Sequence, residues 1–327
     1  MKAILHAIGE PSLPLTWGDA PDPTAAPGQV VLRIHATSVN RADLLQVRGL
    51  YPPPLGASPL LGLEAAGVVI AVGAGVDSWR RGDRAMCILG GGGYAEAVAV
   101  DARHLLPVPA SMDLVSAGAV PEVFMTAWLN LFHLAGLKPG ERVLIHGGSG
   151  GVGTAALQLA RAAGAEVWTT AGGAARCARC VELGAHVAID HRDASADFAG
   201  ALQDEGGADV ILDVMGASLL DRNLRGLAVG GRLVVIGLQG GRKSEIDLGR
   251  LLTARITLIG STLRGRDADD KAALTAAFLA EVWPWLDSGR VAPVIDAVIP
   301  LPEAELAHRR MAAGDPFGKL VLSVPPV

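Results

Sequence analysis

The pattern of apolar and polar positions changes character along the chain. Over residues 29–37 apolar side chains occupy every second position, which is the period of a half-buried strand. Two more apolar stretches, 65–72 and 95–100, are separated by turns rich in glycine and aspartate. Three prolines at 52–54 exclude a helix there and favour a rigid extended loop. The first third is therefore predicted to be mostly β structure.

From about Glu122 the pattern alternates between short apolar runs and helical segments. The predicted strands are 142–146, 166–170, 187–189, 209–214, 231–237 and 256–260, and the clearest helices are 154–163 and 174–183. This alternation implies right-handed βαβ units and an α/β fold with a doubly wound parallel sheet. After Asp267 we expect a helix (271–286), a strand (294–298) and a final helix and strand ending at 321–324.

Length and charge limit the classes of protein that the sequence fits. The 327 residues are enough for two domains. A net charge of −5 argues against nucleic acid as a partner, and the absence of a long apolar run argues against a membrane span. The start of the chain does not resemble a signal peptide, and three cysteines suit no secreted disulfide framework. We therefore expect a cytoplasmic protein.

A glycine-rich turn carries the strongest chemical signal. The pattern G-x-G-x-x-G lies between the predicted strand 142–146 and the helix that follows it. Its residues are Gly148, Ser149, Gly150, Gly151, Val152 and Gly153. Glycines permit a tight turn and close approach of a pyrophosphate, whose charge the N–H groups at a helix start would bind. The turn predicts a dinucleotide site.

The next strand bears on the choice of dinucleotide. An enzyme that prefers NAD places an acidic residue at the end of that strand to bind the ribose 2′-hydroxyl. Here residues 170–176 contain Gly172, Gly173 and Arg176 but no acid, and His191 follows the third strand. Arg176 could pair with a 2′-phosphate, with His191 as a second partner. The sequence therefore favours NADP(H).

Several segments together resemble a known family. They are residues 38–46, 51–54, 61–67, Gly82-Asp83, 145–153 and Gly318-Lys319. Through these segments, which are spread over essentially its whole length, the chain resembles the medium-chain dehydrogenase/reductase superfamily. Within it, the chain most resembles the zinc-independent, NADPH-dependent quinone oxidoreductases of the tumour-suppressor-inducible group.

The resemblance implies an architecture and an assembly. A Rossmann domain of residues 122–263 would be inserted into a GroES-like, mostly-β substrate domain of residues 1–121 and 264–327. The strand 256–260 would lie at the edge of the Rossmann sheet and pair with a second copy in a homodimer.

The resemblance also implies chemistry without a metal. Zinc-dependent relatives carry Cys where this chain has Asn40 and His where it has Leu63, and many have a four-cysteine lobe that is missing here. Catalytic zinc needs about three protein ligands. Tyr51 and Asn40 match cleft positions and are expected to donate hydrogen bonds to a quinone oxygen, whereas Glu64 is expected to be a structural carboxylate.

The remaining residues that the resemblance assigns belong to the cofactor site. They are Thr126, Gly237, Leu238, Gly318 and Lys319, beside those of the two glycine turns. Where the group carries Ser, Lys and Tyr around the 2′-phosphate, this chain has Gly173, Arg176 and His191.

The expected activity is NADPH-dependent reduction of a quinone or a related small electrophile. Two alternatives stay open, namely an enoyl or alkenal double-bond reductase on the same scaffold and an NADPH-binding regulatory protein with weak catalysis. Some relatives bind RNA, but the net charge argues against it here. A zinc alcohol dehydrogenase is disfavoured by the missing ligands.

Overall fold

The computed structural model describes residues 1–10 and 13–325. The chain divides into two compact units. The first comprises Met1–Met125 and Leu263–Val327, and the second comprises Thr126–Thr262. Strands dominate the first unit, whereas the second alternates strands with helices around a parallel sheet, which confirms the predicted α/β fold class.

Strands and helices are numbered in chain order. The strands are β1 (Lys2–Leu5), β2 (Thr16–Asp19), β3 (Gln29–Ser38), β4 (Glu64–Val72), β5 (Arg84–Ile88), β6 (Ala97–Asp101), β7 (Leu105–Pro107), β8 (Arg142–His146), β9 (Glu166–Ala171), β10 (Val187–Asp190), β11 (Ala208–Asp213), β12 (Leu227–Val235), β13 (Thr257–Gly260), β14 (Ile295–Pro300) and β15 (Lys319–Ser323). The helices are α1 (Arg41–Val47), α2 (Leu114–Ala117), α3 (Pro121–Trp128), α4 (Gly151–Ala162), α5 (Ala174–Glu182), α6 (Phe198–Asp204), α7 (Leu220–Gly226), α8 (Leu248–Thr253), α9 (Ala268–Glu281), α10 (Trp283–Asp287) and α11 (Ala304–Ala312). A π-helical stretch, Leu129–Leu134, continues α3.

In the first unit, β3 is the central strand of a sheet with the order β14-β15-β3-β4-β5-β7. Strand β6 also pairs with β3. Val30, Leu32 and Ile34 enter one apolar core with residues of β4 and β5, as their alternation predicts. Strands β4 and β15 both run antiparallel to β3. The end of β3 therefore meets the beginnings of both neighbours, which brings Glu64 and Lys319 to one place.

In the second unit, the parallel sheet has the order β10-β9-β8-β11-β12-β13. The chain moves outward from β8 in one direction through β9 and β10, then returns to the other side of β8 with β11. In open sheets of this kind, ligands bind beyond the carboxyl ends of the strands where the order reverses. The glycine turn that follows β8 lies at that point.

Two differences from the predicted elements have local causes. Strand β12 begins at Leu227, four residues before the predicted start, because Leu227 already pairs with Ala208 of β11. The pairing resumes at Arg232 after an irregular stretch that includes Gly230, whose φ is 82°. The predicted helix 271–286 is divided into α9 and α10, and Pro284, which has no N–H group, lies in the first turn of α10.

None of the helices in residues 1–10 and 13–325 combines the length and the apolar character that a membrane crossing needs.

Candidate active site

A buried carboxylate is the centre of a polar cluster in the first unit. Glu64 has no exposed surface. Its Oε1 accepts hydrogen bonds from the Ser38 hydroxyl, from Asn40 Nδ2 at 2.9 Å and from Lys319 Nζ at 2.9 Å. Its Oε2 accepts from the backbone N–H of Glu122 at 2.9 Å. The contacts fit the structural role expected for Glu64.

The cation of the cluster is Lys319, whose side chain is also buried. Its ammonium donates to Glu64, to the Val39 carbonyl at 3.2 Å and to Asn40 Oδ1 at 2.6 Å. An ammonium has three N–H donors, so each has an acceptor here. The charge and the hydrogen-bonding capacity of Lys319 are therefore used inside the first unit.

The Asn40 side chain is held in one orientation. Its Oδ1 accepts from Lys319, while its Nδ2 donates to Glu64 and to the Ser38 carbonyl at 3.3 Å. Its backbone N–H donates to Asp43 Oδ2 at 2.8 Å, because Asn40 caps α1 and Asp43 completes a capping box. All the polar groups of the Asn40 amide are thus engaged within the protein.

The two tyrosines of the chain have different surroundings. Tyr94 is fully buried, and its hydroxyl lies 3.2 Å from Asp43 Oδ2 and 3.1 Å from His308 Nε2. Tyr51 is partly exposed in the loop after α1. Within residues 1–10 and 13–325 its hydroxyl has no hydrogen-bond partner. Tyr51 is therefore the phenol that is available to a ligand.

Burial also shifts the titration of this region. The pKa of Asp43 is raised to about 6 by burial, against the opposing effect of the N–H groups of Asn40 and Gly62. Burial likewise raises the pKa of the Tyr51 phenol, although the Arg264 guanidinium partly offsets this effect. Tyr51 consequently keeps its proton at neutral pH and can donate it in a hydrogen bond.

In the second unit, the glycine turn is held by the ends of two strands. The N–H groups of Gly147 and Gly148 both donate to the Thr170 carbonyl. His146, at the end of β8, bonds to Thr170 Oγ1 at 3.0 Å and to Asn223 Oδ1 at 2.7 Å. Burial lowers the pKa of His146 to about 4, so the ring is neutral at physiological pH. The turn therefore has a fixed, uncharged support.

The positions of this turn differ in whether packing requires glycine there. A Cβ on Gly148 would lie 2.1 Å from Thr169 Oγ1, and one on Gly153 would lie 2.1 Å from the Gly147 carbonyl oxygen. Only glycine fits these two positions. A Cβ on Gly150 would find its nearest neighbour at 3.4 Å, so packing alone leaves room for a side chain at this position.

The start of α4 fits a pyrophosphate. Gly150 is its N-cap residue and has no side chain to bond the first N–H groups of the helix. The helix is 12 residues long, and the N–H groups of its first turn have no acceptor within the helix. Such N–H groups bind phosphate, and the helix dipole adds to the attraction. A dinucleotide would be held here by Ser149, Gly151, Val152 and their neighbours.

A second turn, after β9, brings together residues that are distant in sequence. A Cβ on Gly172 would lie 3.0 Å from Arg192 Nε and 3.1 Å from His191 Nε2. Arg192 is thus an additional cation beside this loop. Arg176 lies at the start of α5, the helix that follows the loop. The N–H of Gly173 donates to Asp190 Oδ1 at 2.8 Å. Sequence reasoning missed Arg192 and Asp190, although Asp190 ends β10, the strand that pairs with β9, and Arg192 follows it.

The other predicted cofactor residues lie in three places. Thr126 is in α3, and its carbonyl accepts from Asn130 Nδ2 at 2.8 Å. Gly237 and Leu238 follow β12, where a Cβ on Gly237 would lie 2.6 Å from the Val214 carbonyl oxygen. Gly318 directly precedes the buried Lys319 and has a φ of 92°, which favours glycine.

Side chains of the metal-ligating types are dispersed in the described part of the chain. Residues 1–10 and 13–325 contain no group of three or more His, Cys, Asp or Glu side chains that could hold a metal ion. At Asn40 and Glu64, the positively charged group in contact is the Lys319 ammonium.

Comparison with known proteins agrees with this architecture. Residues 26–110 match the family model described as alcohol dehydrogenase GroES-like domain, and residues 151–280 match that described as zinc-binding dehydrogenase. The quinone oxidoreductase of Sus scrofa is 34% identical over 98% of this chain and 97% of its own length. A polyketide synthase protein of Streptomyces orinoci, NorB, is 38% identical over 94% of this chain but only 14% of its own length.

Solved structures give the same result. A mycobacterial protein complexed with NADPH has a TM-score of 0.88 and 29% identity, and an NAD-dependent alcohol dehydrogenase has a TM-score of 0.87 and 29% identity. The JamJ enoyl reductase has a TM-score of 0.86 and 27% identity. Each comparison covers 99% of this chain and at least 99% of the other. The chain therefore belongs to the medium-chain dehydrogenase/reductase superfamily and to its quinone oxidoreductase-like group.

Proposed function

We propose that this protein is an NADPH-dependent quinone oxidoreductase that works without zinc. The observation that carries the proposal is the position of the Lys319 ammonium. It engages Asn40 and Glu64, and the Tyr51 hydroxyl of the same unit has no hydrogen-bond partner among the residues that the structure describes. A cluster already neutralised by an ammonium has no need of a metal cation. The likeness to quinone oxidoreductases over nearly the full chain supports the quinone as substrate.

A bound nicotinamide would supply the hydride, and the residues of the chain would handle charge and orientation. Negative charge develops on a quinone oxygen when the ring is reduced. The Tyr51 hydroxyl would stabilise that charge by a hydrogen bond, which is stronger in the transition state than in the ground state. The sequence predicts Asn40 as a second donor to the quinone oxygen, but its amide groups are engaged by Ser38, Glu64 and Lys319. Asn40 would instead support the site by its fixed orientation.

A second candidate is reduction of an activated carbon–carbon double bond. The likeness to the JamJ enoyl reductase and to a polyketide synthase protein favours it. Hydride addition to an enoyl thioester or an alkenal places negative charge on the carbonyl oxygen. A phenol donor such as Tyr51 would suit that charge as well as it suits a quinone.

The two activities are separated by assay of the purified protein with a panel of acceptors and with both NADPH and NADH. We expect oxidation of NADPH with an ortho- or para-quinone. Turnover of a 2-enal or an enoyl thioester with no turnover of any quinone would replace the first proposal by the second. Absence of turnover with every acceptor would favour a regulatory protein that binds the cofactor.

We propose NADPH as the preferred cofactor, with Arg176 and His191 at the 2′-phosphate. Arg176→Glu should raise the KM for NADPH about tenfold or more and change the KM for NADH much less, because a charge-assisted contact is replaced by repulsion. The measurement is steady-state kinetics with each nicotinamide. Arg179→Glu, one turn further along α5, is the matched control. An equal loss for both cofactors would contradict the assignment.

We also propose a homodimer formed through the edge of the second unit's sheet. Strand β13 is the last in the sheet order, and Leu258 on it is 41% exposed. Leu248 and Leu252 of the preceding helix α8 are exposed as well. An unpaired edge with apolar side chains is well suited to pair with a second copy.

A further inference from the structure

Arg264 is a buried arginine of the first unit, with 5% of its surface exposed. Its Nε donates to the Gly90 carbonyl at 2.9 Å, and its Nη1 donates to the Tyr51 carbonyl at 3.0 Å. Its Nη2 donates to Gln46 Oε1 at 2.5 Å. The centre of the guanidinium lies 5.3 Å from the centre of the Tyr51 ring, which is within reach of a cation–π interaction. One side chain thus contacts both the backbone and the ring of Tyr51.

Gln46 extends this contact to the other end of the same loop. Its Nε2 donates to the Pro59 carbonyl at 2.8 Å, and the side chain is fully buried. Arg264 therefore binds the first residue of the segment 51–60, which we call the proline loop, while Gln46 binds its ninth. The two residues also bind each other. The loop is held at both ends by one hydrogen-bonded pair.

The loop has a second contact that Arg264 reinforces. The N–H of Gly92 donates to the Leu60 carbonyl at 3.0 Å, so the segment 90–93 packs along the end of the proline loop. Arg264 bonds to Gly90 at the start of that segment. The rigid fork of a guanidinium suits this arrangement, because its donors diverge in fixed directions towards three acceptors on separate segments.

We propose that Arg264 is the positioning residue for Tyr51, holding the proline loop so that the phenol is presented to the substrate oxygen in one place. The proposal rests on the proposed function, in which Tyr51 is the donor. A reacting group displaced by about 1 Å can lose about a hundredfold in rate, so a loop that carries a donor needs fixed attachment.

Arg264 also affects the pKa of Tyr51. Within the part of the chain that the structure describes, Arg264 and Glu122 are the charged groups that affect the pKa of this phenol. The cation lowers the pKa of Tyr51 and the carboxylate raises it, while burial raises it most. Removal of the guanidinium would therefore move the phenolate transition to higher pH, an effect that a purely structural role in folding would not produce.

The chain allows this transition to be measured without labels. It contains two tyrosines, so in a Tyr94→Phe background Tyr51 is the sole phenol. Ultraviolet absorbance after rapid pH jumps would report its ionisation, and steady-state kinetics would report kcat and KM. We would compare Arg264→Gln, which removes the charge, with Arg264→Lys, which keeps the charge but lacks the fork. Arg266→Gln, which breaks an ion pair with Asp270, is the matched control.

We expect Arg264→Gln to move the phenolate transition to higher pH and to lower kcat/KM at least about tenfold. Arg264→Lys, assayed at neutral pH where the lysine is charged, should also lower kcat/KM because it lacks the fork. Far-ultraviolet circular dichroism would establish that each variant is folded. If Arg264→Gln does not fold, the kinetics of Arg264→Lys test the positioning role.

The role is contradicted if folded Arg264→Gln leaves the phenolate transition in place, whatever its activity, or if Arg264→Lys is as active as the parent while Tyr51→Phe is impaired. Failure of the proposed function looks different. In that case Tyr51→Phe would be fully active, and Arg264→Gln would still move the phenolate transition, so that the contact with Tyr51 would stand.

Discussion

Lys319→Met should lower the free energy of unfolding by about 3–5 kcal/mol, which is the usual loss when one member of a buried ion pair is removed. The reason lies with the partner. Glu64 has no exposed surface, and methionine would leave its carboxylate without the ammonium that now contacts it at 2.9 Å. Asn40 would lose the same donor. Urea unfolding followed by tryptophan fluorescence measures the effect.

Two further variants test whether the loss of stability comes from the buried ion pair. Lys2→Met removes the same charge from an exposed pair with Asp19 and should lower the free energy of unfolding far less, because water screens that pair. The double variant Lys319→Met/Glu64→Gln removes both buried charges and should recover part of the loss. A loss at Lys319 no larger than that at Lys2 would show that the buried pair contributes little to stability.

Tyr51→Phe should lower kcat/KM about a hundredfold, the typical effect of removing one hydrogen bond to a developing oxyanion. The hydroxyl is the group deleted, and the ring remains to contact Arg264. If Tyr51 acts mainly in the transition state, the loss appears in kcat, with little change in KM. Steady-state kinetics with a quinone and NADPH, at saturating cofactor, measures it.

Tyr94→Phe is the matched control for this experiment. It removes a hydroxyl that is buried against Asp43 and His308, so we expect a loss of stability and little change in kcat/KM. Kinetics of Tyr51→Phe within twofold of the parent protein would remove Tyr51 from the mechanism. The Tyr94 result then separates a general effect of losing a phenol hydroxyl from an effect at the site.

The features that were predictable from sequence are those encoded within a short window. The alternation in 29–37 predicted β3, and the apolar run 142–146 with the glycines after it predicted β8 and the turn to α4. Each depends on neighbours a few residues away. The fold class followed from the order of such elements.

What sequence reasoning missed depends on pairing between distant segments. Lys319 was assigned to the cofactor site by resemblance, and nothing local shows that its strand β15 lies beside β3. Arg192 and Asp190 reach the turn after β9 only because β10 pairs with that strand. Arg264 binds residues more than 170 positions earlier in the chain. A propensity or a motif contains no information on such contacts.

The place of Lys319 in the chain has a consequence for the order of folding during synthesis. The carboxylate of Glu64 emerges 255 residues before the ammonium that neutralises it. The second unit is contiguous, so its sheet can be completed as soon as residue 262 has left the ribosome. The first unit must wait for β15, and until then Glu64 lacks its ammonium partner and the end of β3, from Ala36 to Ser38, lacks its β15 neighbour. The nucleotide-binding half of the protein is thus ready to fold before the half that carries Tyr51.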